Sequence, residues 1–184
     1  MPARPILQLG TPSLCEPSSP VELRELPSLT EAVRDLHATM DAFQAERGWG
    51  RAIAAPQIGV ARRIVAMRVD QPRTLFNPVL DRFDPQLREY WEDCMSFPDL
   101  LVRVRMPVSC RLTYRDESWN LQRVELTGDY AALLQHEVDH LDGVLATRRA
   151  TGDQPLALRS TQPPKNLAWS GEFRFLGEPE TSAD

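Results

Sequence analysis

Residues 135–143 read QHEVDHLDG. His136 and His140 stand four apart, a spacing that puts both imidazoles on one face of a helix. Glu137 adjoins the first of them, within reach of a water molecule on an ion held between the two rings. That is the mechanical content of an HExxH pattern: two metal ligands and a general base from one helical turn. Leu133, Leu134, Val138 and Leu141 surround these groups, so the helix is expected to be buried on several sides. Buried imidazoles and carboxylates need partners, and a metal ion supplies them.

A catalytic metal centre needs a third protein ligand and one open position. A further histidine six residues beyond His140 would mark one class of metallopeptidase, but that position is Ala146. A glutamate about twenty residues downstream would mark another. No acidic residue occurs between Asp153 and Glu172. His37, the remaining histidine, falls on a predicted helix away from its apolar stripe and reads as a surface residue. The third ligand is therefore sought upstream, where Cys94 is the candidate. Taken alone, Cys94 would read as a small buried hydrophobe.

Several elements must position these groups. The proline-rich residues 5–27 read as an extended arm. A helix is predicted from Ser28, with Glu31 completing a capping box and Leu29, Val33, Leu36, Met40 and Phe43 on one face. Gly48 stops it. RRIVAMRV and TLFNPVL read as strands with Pro72 at the turn between them. LLVRVRM and VSCRLTYRD alternate in strand fashion, and a turn around residues 117–120 leads into LQRVEL. Gly128 opens the histidine-bearing helix and Gly143 ends it. Past residue 150 the patterning fades, although Trp169, Phe173, Phe175 and Leu176 could pack back as a short strand. One domain, residues 1–184, is expected, with 150–184 a less regular tail.

Composition narrows the function classes. Of 184 residues, 42% are hydrophobic and 26% charged, a globular rather than a disordered balance. A formal charge of −5 gives no broad electrostatic case for nucleic acid. The N-terminal MPARPILQLG has no apolar run long enough for a signal peptide or membrane span. Cys15, Cys94 and Cys110 are odd in number and far apart, which argues for a reducing compartment. A cytoplasmic location follows as an expectation.

Three segments in order carry a family resemblance. Gly50-Arg51-Ala52-Ile53-Ala54-Ala55-Pro56-Gln57 resembles GxGxAAPQ, Glu92-Asp93-Cys94-Met95-Ser96 resembles EGCxS, and Gln135–His140 matches QHExDH. Together they resemble the peptide deformylases, with looser similarity over roughly the first 145 residues. The resemblance implies an α+β fold of small antiparallel β-sheets around a central HExxH helix. It implies hydrolytic removal of the formyl group from N-formylmethionyl peptides of nascent proteins. Cys94, His136 and His140 would hold one divalent ion, with Fe(II) expected in the cell and nickel, cobalt or zinc able to substitute. Glu137 would be the general acid/base, and Gln57 and the Met95 backbone N–H would meet the oxyanion. Gly50, Ala52, Ile53 and Leu133 would line the substrate site. The implied partners are the formylated peptide and, transiently, the ribosome.

Against the family pattern, Ala52 and Asp93 replace glycines. Asp129 and Ala132 stand on the helix where family members usually carry an apolar residue and often an arginine. None of these changes removes a catalytic group. Two rival readings are an HExxH metallopeptidase and a non-catalytic binder of formylated peptides. Retention of Glu137 and Gln57 argues against the binder, since binding alone needs no proton shuttle.

Overall fold

Two helices and two antiparallel sheets account for most of residues 3–161 and 170–176, the part of the chain that this computed structural model describes. Helix α1 spans Leu26–Arg47 and ends at Gly48. It begins earlier than the expected Ser28, because a 3-10 turn over Leu23–Glu25 runs straight into it. The capping box expected of Ser28 and Glu31 is made instead by Glu22 and Glu25. The Glu22 N–H donates to the Glu25 carboxylate at 2.8 Å, and the Ser28 hydroxyl donates to the Glu25 carbonyl at 2.7 Å. Pro27 fits this first turn, where its missing N–H has no helical partner to lose. The predicted stripe faces inward: Leu36 and Met40 are buried, with Leu29, Val33 and Phe43 packed around them.

The larger sheet contains β1 (Ala52–Ala54), β2 (Ile64–Arg68), β3 (Pro72–Asp81), β6 (Ser109–Arg115), β7 (Leu121–Thr127) and β9 (Phe173–Phe175), in that order. The smaller contains β4 (Leu87–Glu92), β5 (Leu100–Pro107) and β8 (Leu156–Leu158). Pro72 opens β3 rather than marking a free turn, since it pairs with Arg68. The register of β3 shifts between Phe76 and Val79, around Asn77 at φ 50°. The Asn77 amide grips both backbone groups of Val21 at 2.8 Å, so this irregularity ties the N-terminal arm to the sheet. The tail forms β8 and β9; Trp169, expected to join it, lies outside the described residues.

Helix α2, Gly128–Leu141, lies between the sheets. Leu134 and Leu141 enter the core beneath the larger sheet, beside Leu112 and Leu126. Ala132 enters the core of the smaller sheet, beside Val102 and Val104. A helix clamped on two sides this way holds its side-chain directions rigidly. Among the described residues no helix is long and apolar enough to cross a membrane.

Candidate metal centre

Cys94, His136 and His140 converge, with their ligand atoms all within 4.8 Å of one another. Cys94 Sγ lies 3.2 Å from His140 Nε2, which lies 3.2 Å from His136 Nε2. Metal–ligand bonds of about 2.0–2.3 Å at tetrahedral angles require donors about 3.3–3.7 Å apart, so the trio suits one small ion. All three are buried, and thiolate with two imidazoles is a donor set for a transition metal rather than for calcium or magnesium.

The two histidines come from one face of α2, as their spacing predicted. Cys94 arrives on the loop between β4 and β5, where its sulfur also accepts from the Ser96 N–H at 3.4 Å. His136 Nδ1 meets Glu92 Oε2 at 2.9 Å, leaving Nε2 for the ion. Burial opposes a charge on His136, but Glu92 and Cys94 outweigh it and hold its pKa well above the ordinary value. For His140, burial and the neighbouring His136 act together and push the pKa well below the ordinary value. An ion bound here would displace the His136 proton.

Glu137 is 3% exposed, and its Oε2 has no hydrogen-bond partner among the described residues. Burial pushes its pKa up to about 7, against a downward pull from His136 and with a smaller upward push from Glu92. A buried carboxyl oxygen without a partner is costly. Beside three converging donors, it implies a polar guest at this spot. Gln57 sits on the turn Ala55–Ile58 with its amide oriented from both ends. Its Oε1 accepts from the Ala54 N–H at 2.9 Å, and its Nε2 points at Ser96 Oγ (3.2 Å) and Cys94 Sγ (3.5 Å). One donor hydrogen thus faces the candidate ligand Cys94.

A cavity of about 280 Å³ opens over these groups, bordered by Gly50, Ala52, Gln57, Met95, Leu133 and Glu137, among others. Gly50 has φ +105°, and a Cβ there would lie 2.6 Å from the Met95 Cε. The positive φ favours glycine here, and the methionine tip fills the space that its missing side chain leaves. Of the expected substrate-site residues, Ile53 does not border the cavity. Strand alternation turns its side chain into the core with Leu36 and Met40.

Two expectations need correction or addition. His37 is not a surface residue: it is half-buried, its Nε2 3.0 Å from Thr74 Oγ1, and the Thr74 hydroxyl donates to Glu117 at 2.6 Å. It takes no part in the metal site. Glu92 had been quoted within a motif without a role. The available signal was chemical, because a metal-bound imidazole needs an acceptor for its second nitrogen.

The family model described as polypeptide deformylase matches residues 3–155. Peptide deformylase 1 of Nitrosomonas europaea is 34% identical over 159 residues, covering 79% of this chain and 86% of that protein. The peptide deformylase of Mesorhizobium japonicum is 36% identical over 151 residues, covering 79% and 82%. The Thermotoga maritima enzyme superposes with a TM-score of 0.76 at 28% identity, covering 83% of this chain and 100% of that one. A Synechococcus elongatus peptide deformylase in complex with actinonin gives 0.73 at 30% identity, covering 82% of each chain. A family model matched over residues 3–155, together with relatives 34–36% identical over most of their own length, shows that the chain belongs to the polypeptide deformylase family.

Proposed function

We propose that Cys94, His136 and His140 hold one divalent metal ion and that Glu137, Gln57 and the Met95 backbone N–H act on the substrate. The activity is metal-dependent removal of the N-formyl group from N-formylmethionyl peptides, with release of formate. The observation that carries the residue assignments is Glu137, buried, without a partner at one oxygen among the described residues and set beside the three donors.

A bound ion would lower the pKa of a water molecule next to Glu137. Glu137, buried beside the three candidate ligands, would take a proton from water there and later deliver it to the leaving amine. The formyl oxygen gains negative charge during attack, and the Gln57 amide meets it with a hydrogen already directed at the site. Leu133 and the neighbouring face of α2 offer apolar surface to the methionine side chain. β4 is an edge strand that borders the cavity, so it can present backbone groups to an extended peptide.

The thiolate suits Fe(II) as well as zinc, and the family resemblance points to Fe(II) as the cellular ion, with nickel, cobalt or zinc as functional substitutes. The chain acts as one catalytic domain in the cytoplasm, with 150–184 as its tail and only transient ribosome contact. The test is formate release from formyl-Met peptides by anaerobically purified protein loaded with defined metals. Internal peptide cleavage would favour a metallopeptidase, and tight binding without turnover a binder. In air the Fe(II) form should lose activity while the nickel form keeps it, because oxygen can reach the iron and Cys94. Equal half-lives would count against iron.

A further inference from the structure

Asp93 places a carboxylate immediately before a metal ligand, where the family motif has glycine. Arg159 answers it from a segment beyond the matched residues 3–155. Its Nη2 donates to Asp93 Oδ2 at 2.8 Å, and its Nε donates to the Pro98 carbonyl at 2.9 Å. Its backbone N–H donates to the Asp99 carbonyl at 2.8 Å. The same guanidinium lies over the Trp49 ring, 4.1 Å from its centroid. Trp49 in turn packs edge-on against Phe43, with ring centroids 4.7 Å apart. Trp49 and Asp93 border the cavity from two different loops. One side chain therefore bridges the loop that leads into β1 and the loop that carries Cys94.

We propose that Arg159 is a positioning residue for this reaction: by holding Asp93 and Trp49 at once, it sets the width of the cleft entrance and fixes the loop before Cys94. The proposal rests on the deformylase site described above. Arg159 touches none of the groups assigned to the chemistry, so it acts on how the peptide is held. Loss of such a contact weakens ground-state and transition-state binding together, which raises KM rather than lowering kcat. The guanidinium also neutralises a carboxylate that would otherwise add to the charge of Glu92 and Cys94.

The test compares Arg159→Ala with the metal-loaded full-length enzyme, in the native and Asp93→Ala backgrounds. In the native background, KM for a formyl-Met tripeptide should rise about fivefold and kcat change less than about twofold. That is the scale of one exposed ion pair plus one cation–π stack. In the Asp93→Ala background the same substitution should raise KM only about two- to threefold, the share left to the Trp49 stack. Arg159→Lys, which keeps the charge but not the planar fork, should recover only part of the loss. Equal KM rises in both backgrounds, or a fall confined to kcat, would overturn the proposal. Hydrogen exchange gives a readout without turnover: amides of residues 49–52 and 94–97 should exchange faster in Arg159→Ala. Unchanged exchange there would also overturn it. Absence of formate release by the metal-loaded wild type would count instead against the residue assignments, and exchange would still decide the brace.

Discussion

The floor and the rim of the cleft use the same kinds of residue under different physical conditions. On the floor, Gln57, Cys94, His136, Glu137 and His140 are all no more than 8% exposed. Most of their polar atoms are paired; among the described residues Glu137 Oε2 and His140 Nδ1 are not. At the rim, Arg159 and Asp93 are 34% and 41% exposed at their side chains, and Asp129 binds the exposed Ser170. An exposed pair is worth about 0–1 kcal/mol, whereas a buried polar group stripped of its partner costs about 1–3 kcal/mol or more. The floor therefore tolerates little change, while the rim can be retuned. Asp93 and Asp129, two of the departures from the family pattern, both lie at the rim, and each is answered by the C-terminal segment.

The comparison can be broken most severely at the sulfur. Cys94→Ala should lower metal content well below one per chain and take formate release to background, measured by elemental analysis beside turnover. A full metal equivalent with activity would remove Cys94 from the ligand set. Glu137→Gln should keep the metal but lose about 10²–10⁴-fold in kcat. Wild-type kcat in the metal-loaded variant would take the carboxyl out of the mechanism. Glu92→Gln should weaken metal affinity about 10–100-fold, because the His136 ring loses the acceptor that orients it. Unchanged affinity in a chelator competition would make Glu92 a bystander.

Smaller effects sharpen the contrast. Burial pushes the Cys110 thiol up to about 12, while Cys15 is exposed. A thiol reagent should modify Cys15 in the native protein and reach Cys110 only on unfolding. Asp129→Leu should shift the ratio of kcat/KM between formyl-Met and formyl-Leu peptides less than about threefold, below the roughly tenfold or more that a methylene-scale change inside a pocket produces. The Asp129 carboxylate is held by the Ser170 N–H and hydroxyl, at 2.6 and 2.9 Å, rather than lying free in the cleft. A tenfold shift would place it in the methionine pocket.

The helical part of the floor was legible in the sequence because its signal is local, whereas Gln57, 79 residues before His136, was reached only through the family resemblance. The spacing of His136 and His140 encodes one helical face, and residues 128 and 143 bracket that helix in glycine. The boundary of α1 was misread because two capping boxes compete over a few residues, and the backbone chose Glu22 and Glu25 over Ser28 and Glu31. His37 was misread because its partners, Thr74 and Glu117, lie 37 residues or more away on other elements. The roles of Glu92 and Arg159 were missed for the same reason. Their partners are separated from them by 44 and 66 residues, distances over which no periodicity operates.

The start of α2 carries a consequence for how the enzyme is made. A Cβ on Gly128 would lie 2.8 Å from the Ser170 carbonyl oxygen, and one on Gly171 would lie 2.0 Å from that of Thr127. These backbones close on each other, and Asp129 seals the junction to Ser170, 41 residues along the chain. Ser170 follows His140 by 30 residues, which at about 5–20 residues per second of synthesis corresponds to roughly 1.5–6 s. For that interval the nascent chain already contains both histidines, yet the first turn of their helix lacks its closing strand. The first turn of the helix that bears both histidines is thus closed by a tail that supplies none of the three candidate ligands.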